Sequence, residues 1–278
     1  MAAPVTLLTD FGQSDAYVGI LKGVMLGICP SLEFVDLTHE IPAQNVALAS
    51  FQLQNAFPYF PAQTVHLAVV DPGVGSERRG IAVQLPTGFL VGPDNGLFTG
   101  VLAAAASQNW PVQVVELNQP QYWRTAQPSA TFHGRDIFAP VAAHLARGVP
   151  LTHLGSSLSE ADLQGLTLPT WCPTRGQGAI QAIDHFGNLI TNIPGQVACG
   201  TWSLVYDSGQ IPGGRTYSDQ PLGTLLGLVG SHGWVEIAVN GNSAQARLQA
   251  NVGDRVRLVN WVDNGLSAAN CGEFKPSH

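Results

Sequence analysis

Asp71, Arg78 and His133 are the residues whose types and spacing promise chemistry. Asp71 ends the apolar run Val65-His66-Leu67-Ala68-Val69-Val70, which reads as a buried strand. Pro72 cannot donate to a sheet ladder and Gly73 permits a turn. The carboxylate therefore stands at the carboxyl end of a strand, where open α/β sheets place their ligand crevice. Arg78 follows across the loop Gly73-Val74-Gly75-Ser76-Glu77, and a second stretch, TFHGRDIFAP at Thr131–Pro140, brings His133. We expect these two loops to meet and the three side chains to handle a water molecule.

Asp10 ends another short apolar run, in Thr9-Asp10-Phe11-Gly12. A carboxylate only accepts, and its two oxygens suit the two hydroxyls of a ribose diol. A turn or capping aspartate is the plainer alternative. Gly73-Val74-Gly75-Ser76-Glu77-Arg78 is no phosphate loop, because Arg78 replaces the third glycine of GxGxxG and no GK[ST] follows. Gly92-Pro93-Asp94-Asn95-Gly96 reads as a tight turn that starts a helix. The histidines have neither HxH nor HExxH spacing, which gives a zinc hydrolase little support. Asp184-His185-Phe186-Gly187-Asn188 and Gly230-Ser231-His232-Gly233 put polar side chains on turns between strands, and hairpins alone would explain both.

These residues need elements to hold them. Strands are expected at Val5–Thr9, Glu33–Leu37, Val65–Val70, Gly80–Leu85, Gly88–Gly92 and Val112–Leu117. Helices are expected at Tyr17–Ile28 (capped by Ser14 or Asp15), Asn45–Phe57, Leu97–Ala106 and Arg135–Arg147. The alternation predicts an N-terminal α/β domain, 1–168, with a mostly parallel central sheet. Leu168–Gly178 is rich in proline and glycine, so 169–177 reads as a linker. Beyond it, short runs at Ala179–Ile183, Trp202–Tyr206, Trp234–Val239, Ala244–Gln249 and Arg255–Val259 predict a smaller C-terminal antiparallel β-barrel domain, 178–278.

The chain's 278 residues suffice for a large core. Charged residues make up only 11%, well below the usual share of about a quarter, which suggests surface hidden in an oligomer, with a large compact monomer as the alternative. The net charge is -7, with Lys22 and Lys275 the only lysines. No basic cluster invites nucleic acid or an anionic membrane. The cysteines Cys29, Cys172, Cys199 and Cys271 form no CxxC pair, so neither a zinc ribbon nor a disulfide framework is indicated. No signal peptide is legible and no apolar run approaches the ~20 residues of a membrane span, so the expected location is the cytoplasm.

Taken in order, the stretches LLTDFG (Leu7–Gly12), DAYVGILKGV (Asp15–Val24), VDLTHEIP (Val35–Pro42), VVDPGVGSERR (Val69–Arg79), VGPDNGLF (Val91–Phe98), FHGRDIFAPVAAHLA (Phe132–Ala146), IDHFGNLITNI (Ile183–Ile193) and EIAVNGNSA (Glu236–Ala244) resemble one family. It is the S-adenosyl-L-methionine (SAM) hydroxide adenosyltransferases, which share a fold with SAM-dependent fluorinating and chlorinating enzymes. The resemblance implies hydrolysis of SAM to adenosine and methionine by displacement at the ribose C5′. It implies the catalytic triad Asp71, Arg78 and His133, with Asp10 on the ribose diol. Asp184 and Ser231 would hold the methionine amino group, and Asn188 the adenine edge. It further implies a homotrimer with sites at subunit interfaces, SAM as substrate, and no metal or other cofactor. The halogenating relatives lack the aspartate of VVDPGVGS, carry a serine where this chain has Gly134, and have an inserted loop not found here. A halogenase on the same fold and a non-catalytic SAM or nucleoside binder are the alternatives. His232, beside Ser231, stands where relatives vary, which leaves the ligand of the methionine carboxylate open.

Overall fold

In the computed structural model, which describes residues 2–207 and 209–259, the chain divides into two compact units, Met1–Leu166 and Thr167–His278. The first is built on one sheet. Its strands are β1 Val5–Thr9, β2 Phe34–Thr38, β3 Thr64–Val69, β4 Gly80–Leu85, β5 Gly88–Pro93, β6 Gln113–Glu116 and β7 Ser156–Leu158. Their order is β2-β1-β3-β5-β4-β6-β7. The pairs β1–β2, β1–β3 and β3–β5 are parallel, and β4 and β6 pair antiparallel with their neighbours. Five of the seven strands thus run the same way, so the mostly parallel sheet is borne out.

Helices cover both faces. α1 (Tyr17–Ile28) and α4 (Ala139–Ala146) pack on one face; α2 (Val46–Ala56) and α3 (Thr99–Ser107) pack on the other. Period-two alternation in β3 feeds both cores: Val65, Leu67 and Val69 enter the first, Ala68 and Val70 the second. α2 starts where Asn45 Oδ1 accepts the Leu48 N–H at 3.0 Å. α1 does not start as expected, since its N-cap is Ala16 and no side chain caps it.

The neighbouring strands of the second unit all pair antiparallel. Its strands are β8 Gln177–Ile183, β9 Leu189–Pro194, β10 Ser203–Tyr206, β11 Gly209–Pro212, β12 Leu225–Val229, β13 Trp234–Val239 and β14 Arg255–Val259, with a short helix α5, Ala244–Leu248. The order is β11-β10-β14-β8-β9-β13-β12. A bridge between Gly213 and Gly227 links the two edges, with Gly214 N–H donating to the Gly227 carbonyl at 2.8 Å. The sheet therefore curls into a nearly closed barrel, as expected. Trp202 fills its seam: a Cβ on Gly213 or Gly227 would fall 2.5 Å or 2.8 Å from that ring.

Ala244–Gln249 is a correction. Expected as a short strand-like run, it forms α5. Ser243 Oγ accepts the Ala246 N–H, and Ala, Gln, Arg and Leu are all good helix formers. Strands β7, β9, β11 and β12 were not anticipated. Cys29 and Cys199 are free thiols. The end of the expected barrel domain, 260–278, lies outside the described residues.

Candidate active site

β3 stops at Val69, and the chain then folds back on itself. Val74 N–H donates to the Asp71 carbonyl at 3.2 Å and Ser76 Oγ donates to the Gly73 carbonyl at 2.7 Å. This tight loop returns Arg78 to Asp71. The guanidinium grips the carboxylate with both arms: Nε donates to Oδ1 at 3.1 Å and Nη2 to Oδ2 at 2.5 Å. The guanidinium also stacks on Phe138, 5.3 Å from the ring centre.

The second loop meets the first at a glycine. Gly75 has φ +78, and a Cβ there would lie 2.1 Å from the Ala130 carbonyl oxygen. Only glycine permits both the left-handed backbone and this approach. The loop from Ser129 is held by the buried carboxylate of Asp136, which accepts from Arg124, Arg135 and the Ser129 N–H. The Arg135 hydrogen bonds keep Asp136 far below the usual carboxylate range. A wide π-type turn, Gly134–Phe138, joins that loop to α4 and presents His133.

Arg78 Nη2 lies 3.1 Å from His133 Nδ1. A guanidinium has protons to donate and no acceptor, so Nδ1 accepts and the proton of the neutral ring sits on Nε2. Burial, then the Arg78 charge, pushes the His133 pKa down. For Asp71, burial pushes the pKa up and outweighs the opposing pull of Arg78. The cluster is thus a carboxylate made more basic than usual, a fixed cation, and a neutral histidine.

Asp71 and His133 open onto a cleft of about 460 Å³, together with Asp10, Phe11, Tyr17, Gln44 and Phe132. This size falls in the range of small-molecule sites. Asp10 Oδ2 accepts the Gln44 N–H at 2.8 Å, with Gln44 held at φ 65. Tyr17 and Phe132 meet edge to face at 5.4 Å, and Phe11 joins both rings at about 6 Å. Sequence reasoning passed over this aromatic wall, although Phe11 and Phe132 adjoin residues it had singled out.

The remaining expected residues lie in the barrel unit. Asp184 and Asn188 share the β8–β9 turn. Asp184 Oδ1 accepts from the N–H groups of Phe186 and Asn188, and its Oδ2 accepts from Asn188 Nδ2 at 2.8 Å. Ser231 is exposed in the β12–β13 turn. Beside it, Glu236 and Tyr217 form a cluster that sequence reading missed. Of the expected site residues, the structure brings Asp71, His133 and Asp10 to one cleft, with Arg78 bonded to the first two, and Asp184 and Asn188 to one turn. The Pro93-Asp94-Asn95 turn is structural: Asp94 is buried against Arg79 and the Gln164 N–H, while Asn95 Nδ2 donates to the Val70 carbonyl. No group of three or more metal-ligating side chains gathers among the described residues, and no helix there is long and apolar enough to cross a membrane.

Comparison with known proteins gives a consistent result. The family model for the SAM hydroxide adenosyltransferase N-terminal domain matches residues 5–155, and that for its C-terminal domain matches 178–257. A protein of Salinispora arenicola named (R)-S-adenosyl-L-methionine hydrolase is 40% identical over 265 residues, 92% of this chain and 97% of its own. A fluorinase of Actinopolyspora mzabensis is more distant, at 27% identity over 92% of this chain and 96% of its own. The crystal structure of an uncharacterized conserved protein from Thermotoga maritima superposes with a TM-score of 0.82 at 34% identity, covering 91% of this chain and 99% of that one.

Proposed function

The chain belongs to the SAM hydroxide adenosyltransferase family, and we propose that it hydrolyses SAM to adenosine and L-methionine by direct attack of water, as hydroxide, on the ribose C5′. The observation that carries this reading is the hydrogen-bonded cluster Asp71–Arg78–His133 on the wall of a cleft.

A sulfonium is already an activated leaving group, and methionine departs as a neutral thioether. The leaving group needs neither an acid nor a Lewis acid, so the enzyme works without a metal or other cofactor. The difficulty lies in the nucleophile. Water has a pKa near 15.7 against about 4 for an ordinary carboxylate. Three features narrow that gap. Burial makes Asp71 a stronger base than usual, and the fixed charge of Arg78 favours developing hydroxide. His133 cannot take a proton at Nδ1 while Arg78 occupies it, so it serves as a donor through Nε2 and orients the water. Asp71 is then the group that receives the water proton.

Asp10, with Oδ2 fixed by Gln44, offers its other oxygen to the ribose diol. The rings of Phe11, Tyr17 and Phe132 favour a cation over their faces and exclude water, which strengthens attraction between hydroxide and sulfonium. Asp184 and Ser231 take the methionine amino group and Asn188 the adenine edge. The protein acts in the cytoplasm as a homotrimer, with each site at a subunit interface. The low charge content and the apolar residues exposed on α1, among them Ile20 and Leu26, support burial of that surface.

The test is a product assay in SAM alone and in SAM with chloride or fluoride. Adenosine and methionine are expected in every arm. A 5′-halo-adenosine would instead identify a halogenase, and tight SAM binding without turnover would identify a non-catalytic binder.

A further inference from the structure

A second buried carboxylate is tied to a histidine inside the barrel unit. Glu236, on β13, is only 3% exposed. Its Oε1 accepts from the Tyr217 hydroxyl at 2.8 Å, and its Oε2 lies 3.0 Å from His232 Nε2. On the other side of the ring, His232 Nδ1 accepts the Trp234 N–H at 3.1 Å. An occupied acceptor at Nδ1 puts the ring proton on Nε2, which Glu236 takes. Burial, followed by the Glu236 bond and the nearby Asp184 charge, pushes Tyr217 up to about 12, so its hydroxyl stays a donor.

The turn is built around this ring. Gly230 N–H donates to the Trp234 carbonyl and Gly233 N–H to the Gly230 carbonyl, each at 2.9 Å. A Cβ on Gly230 would lie 2.5 Å from His232 Nε2 and from Glu236 Oε2. Ser231 is exposed between them.

We propose that His232 is a positioning residue: braced by Glu236 and Tyr217, it fixes the turn that offers Ser231 to the amino-acid end of the substrate, and it is not the ligand of the substrate carboxylate. This rests on Ser231 being a substrate contact. A carboxylate ligand must offer an N–H. Here Nδ1 carries no proton and the Nε2 proton is committed to a buried anion. Withdrawing that proton to bind substrate would leave Glu236 short of a partner, a cost that a surface carboxylate contact does not repay.

The experiment measures steady-state kinetics with SAM and with its decarboxylated analogue, on the wild type and on His232→Asn, Glu236→Gln, Glu236→Leu and Tyr217→Phe. Adenosine from wild-type enzyme and SAM tests the underlying activity separately. His232→Asn keeps an acceptor for the Trp234 N–H and loses the Glu236 bond. It should raise KM for both substrates about tenfold with kcat within about twofold, so the preference for SAM over its analogue stays at the wild-type value. Glu236→Gln, which still accepts from Nε2, should stay near wild type, and Glu236→Leu should reproduce the His232→Asn pattern. Tyr217→Phe, at a half-exposed ring, should raise KM by about threefold. Collapse of the SAM preference in His232→Asn would make His232 the carboxylate ligand and overturn the proposal. Unchanged KM in Glu236→Leu would overturn it too, by reducing the cluster to a fold element. Tyr217→Phe and Glu236→Gln keep the test available if the larger changes unfold the barrel.

Discussion

Two clusters in this molecule join a buried carboxylate to a histidine, and they differ in what else the carboxylate holds. At the end of β3, Asp71 is gripped by a permanent cation, and that cation also donates to His133 Nδ1. In the barrel, both oxygens of Glu236 are taken by neutral donors, Tyr217 and His232. The first arrangement leaves a histidine proton and a strengthened base on a cleft wall. The second closes its hydrogen bonds internally and leaves nothing over for a reacting water. On the proposed reading, an acid and a histidine in one cluster serve as a chemical device where Arg78 bridges them on a cleft wall and as a brace where they bond directly; the fixed charge and the open cleft make the difference.

The largest break in that contrast should come from Asp71→Asn. It removes the base from the cleft and should lower the single-turnover rate on the order of 10³-fold while SAM binding by calorimetry changes little, because the lost interaction belongs to the transition state. A folded variant near full rate would equate the two clusters. Gly75→Ala attacks the same cluster through its loops: the new Cβ cannot coexist with the Ala130 carbonyl, so His133 should be displaced from Arg78. A loss of kcat of about 10²-fold is expected, with the crystal structure of the variant as the check.

Subunit mixing sharpens the contrast by asking whether the two regions cooperate across chains. Asp71→Ala breaks the first region; Asp184→Ala with Ser231→Ala breaks the second. Each pure variant should be nearly inactive. After proven exchange in equal mixtures, about a quarter of the sites should be whole if each is built from two neighbouring chains. No recovery would place each site within one chain.

The pH profile probes the first region. His133 is held below its ordinary pKa of 6.5, and Asp71 above its ordinary 3.8. Both lose the working form as pH falls, His133 by gaining charge and Asp71 by losing it. The acid limb of kcat should therefore lie between about 4 and 6.5, with a plateau at neutral pH. A limb centred above pH 7 would contradict those protonation states. The smallest effect expected is on stability. Asp184→Ala deletes the acceptor of three hydrogen bonds within one turn and should lower Tm by several degrees, for a loss of about 1–3 kcal/mol. Ser231→Ala, at an exposed tip, should leave Tm unchanged. Thermal scans of the two variants make the comparison.

The first region was legible in the sequence because its signals are local. An apolar run broken by Pro72 and Gly73 announces a strand end, and a carboxylate placed there invites chemistry. What the sequence could not convey was the packing: Gly75 against Ala130, the wide turn at Gly134–Phe138 that aims His133, and the occupied Nδ1 that fixes its proton. The barrel region was far less legible. Tyr217, His232 and Glu236 meet only through the pairing of β12 with β13 and the turn before β12, and nothing in their spacing reveals it. Ala244–Gln249 misled because small alternating residues suit a strand as well as a helix, and the deciding signal was one serine cap. The role of Asp184 as anchor of its own turn was likewise hidden, since an aspartate that opens a turn reads the same whether it binds a ligand or its neighbours.

The most direct test of the whole is to hydrolyse SAM in ¹⁸O-labelled water and weigh both products. Attack of water at C5′ puts the label on the 5′-hydroxyl of adenosine and leaves methionine unlabelled. Adenosine without label, label in the amino-acid product, or no adenosine at all would contradict the water-handling role of Asp71, Arg78 and His133.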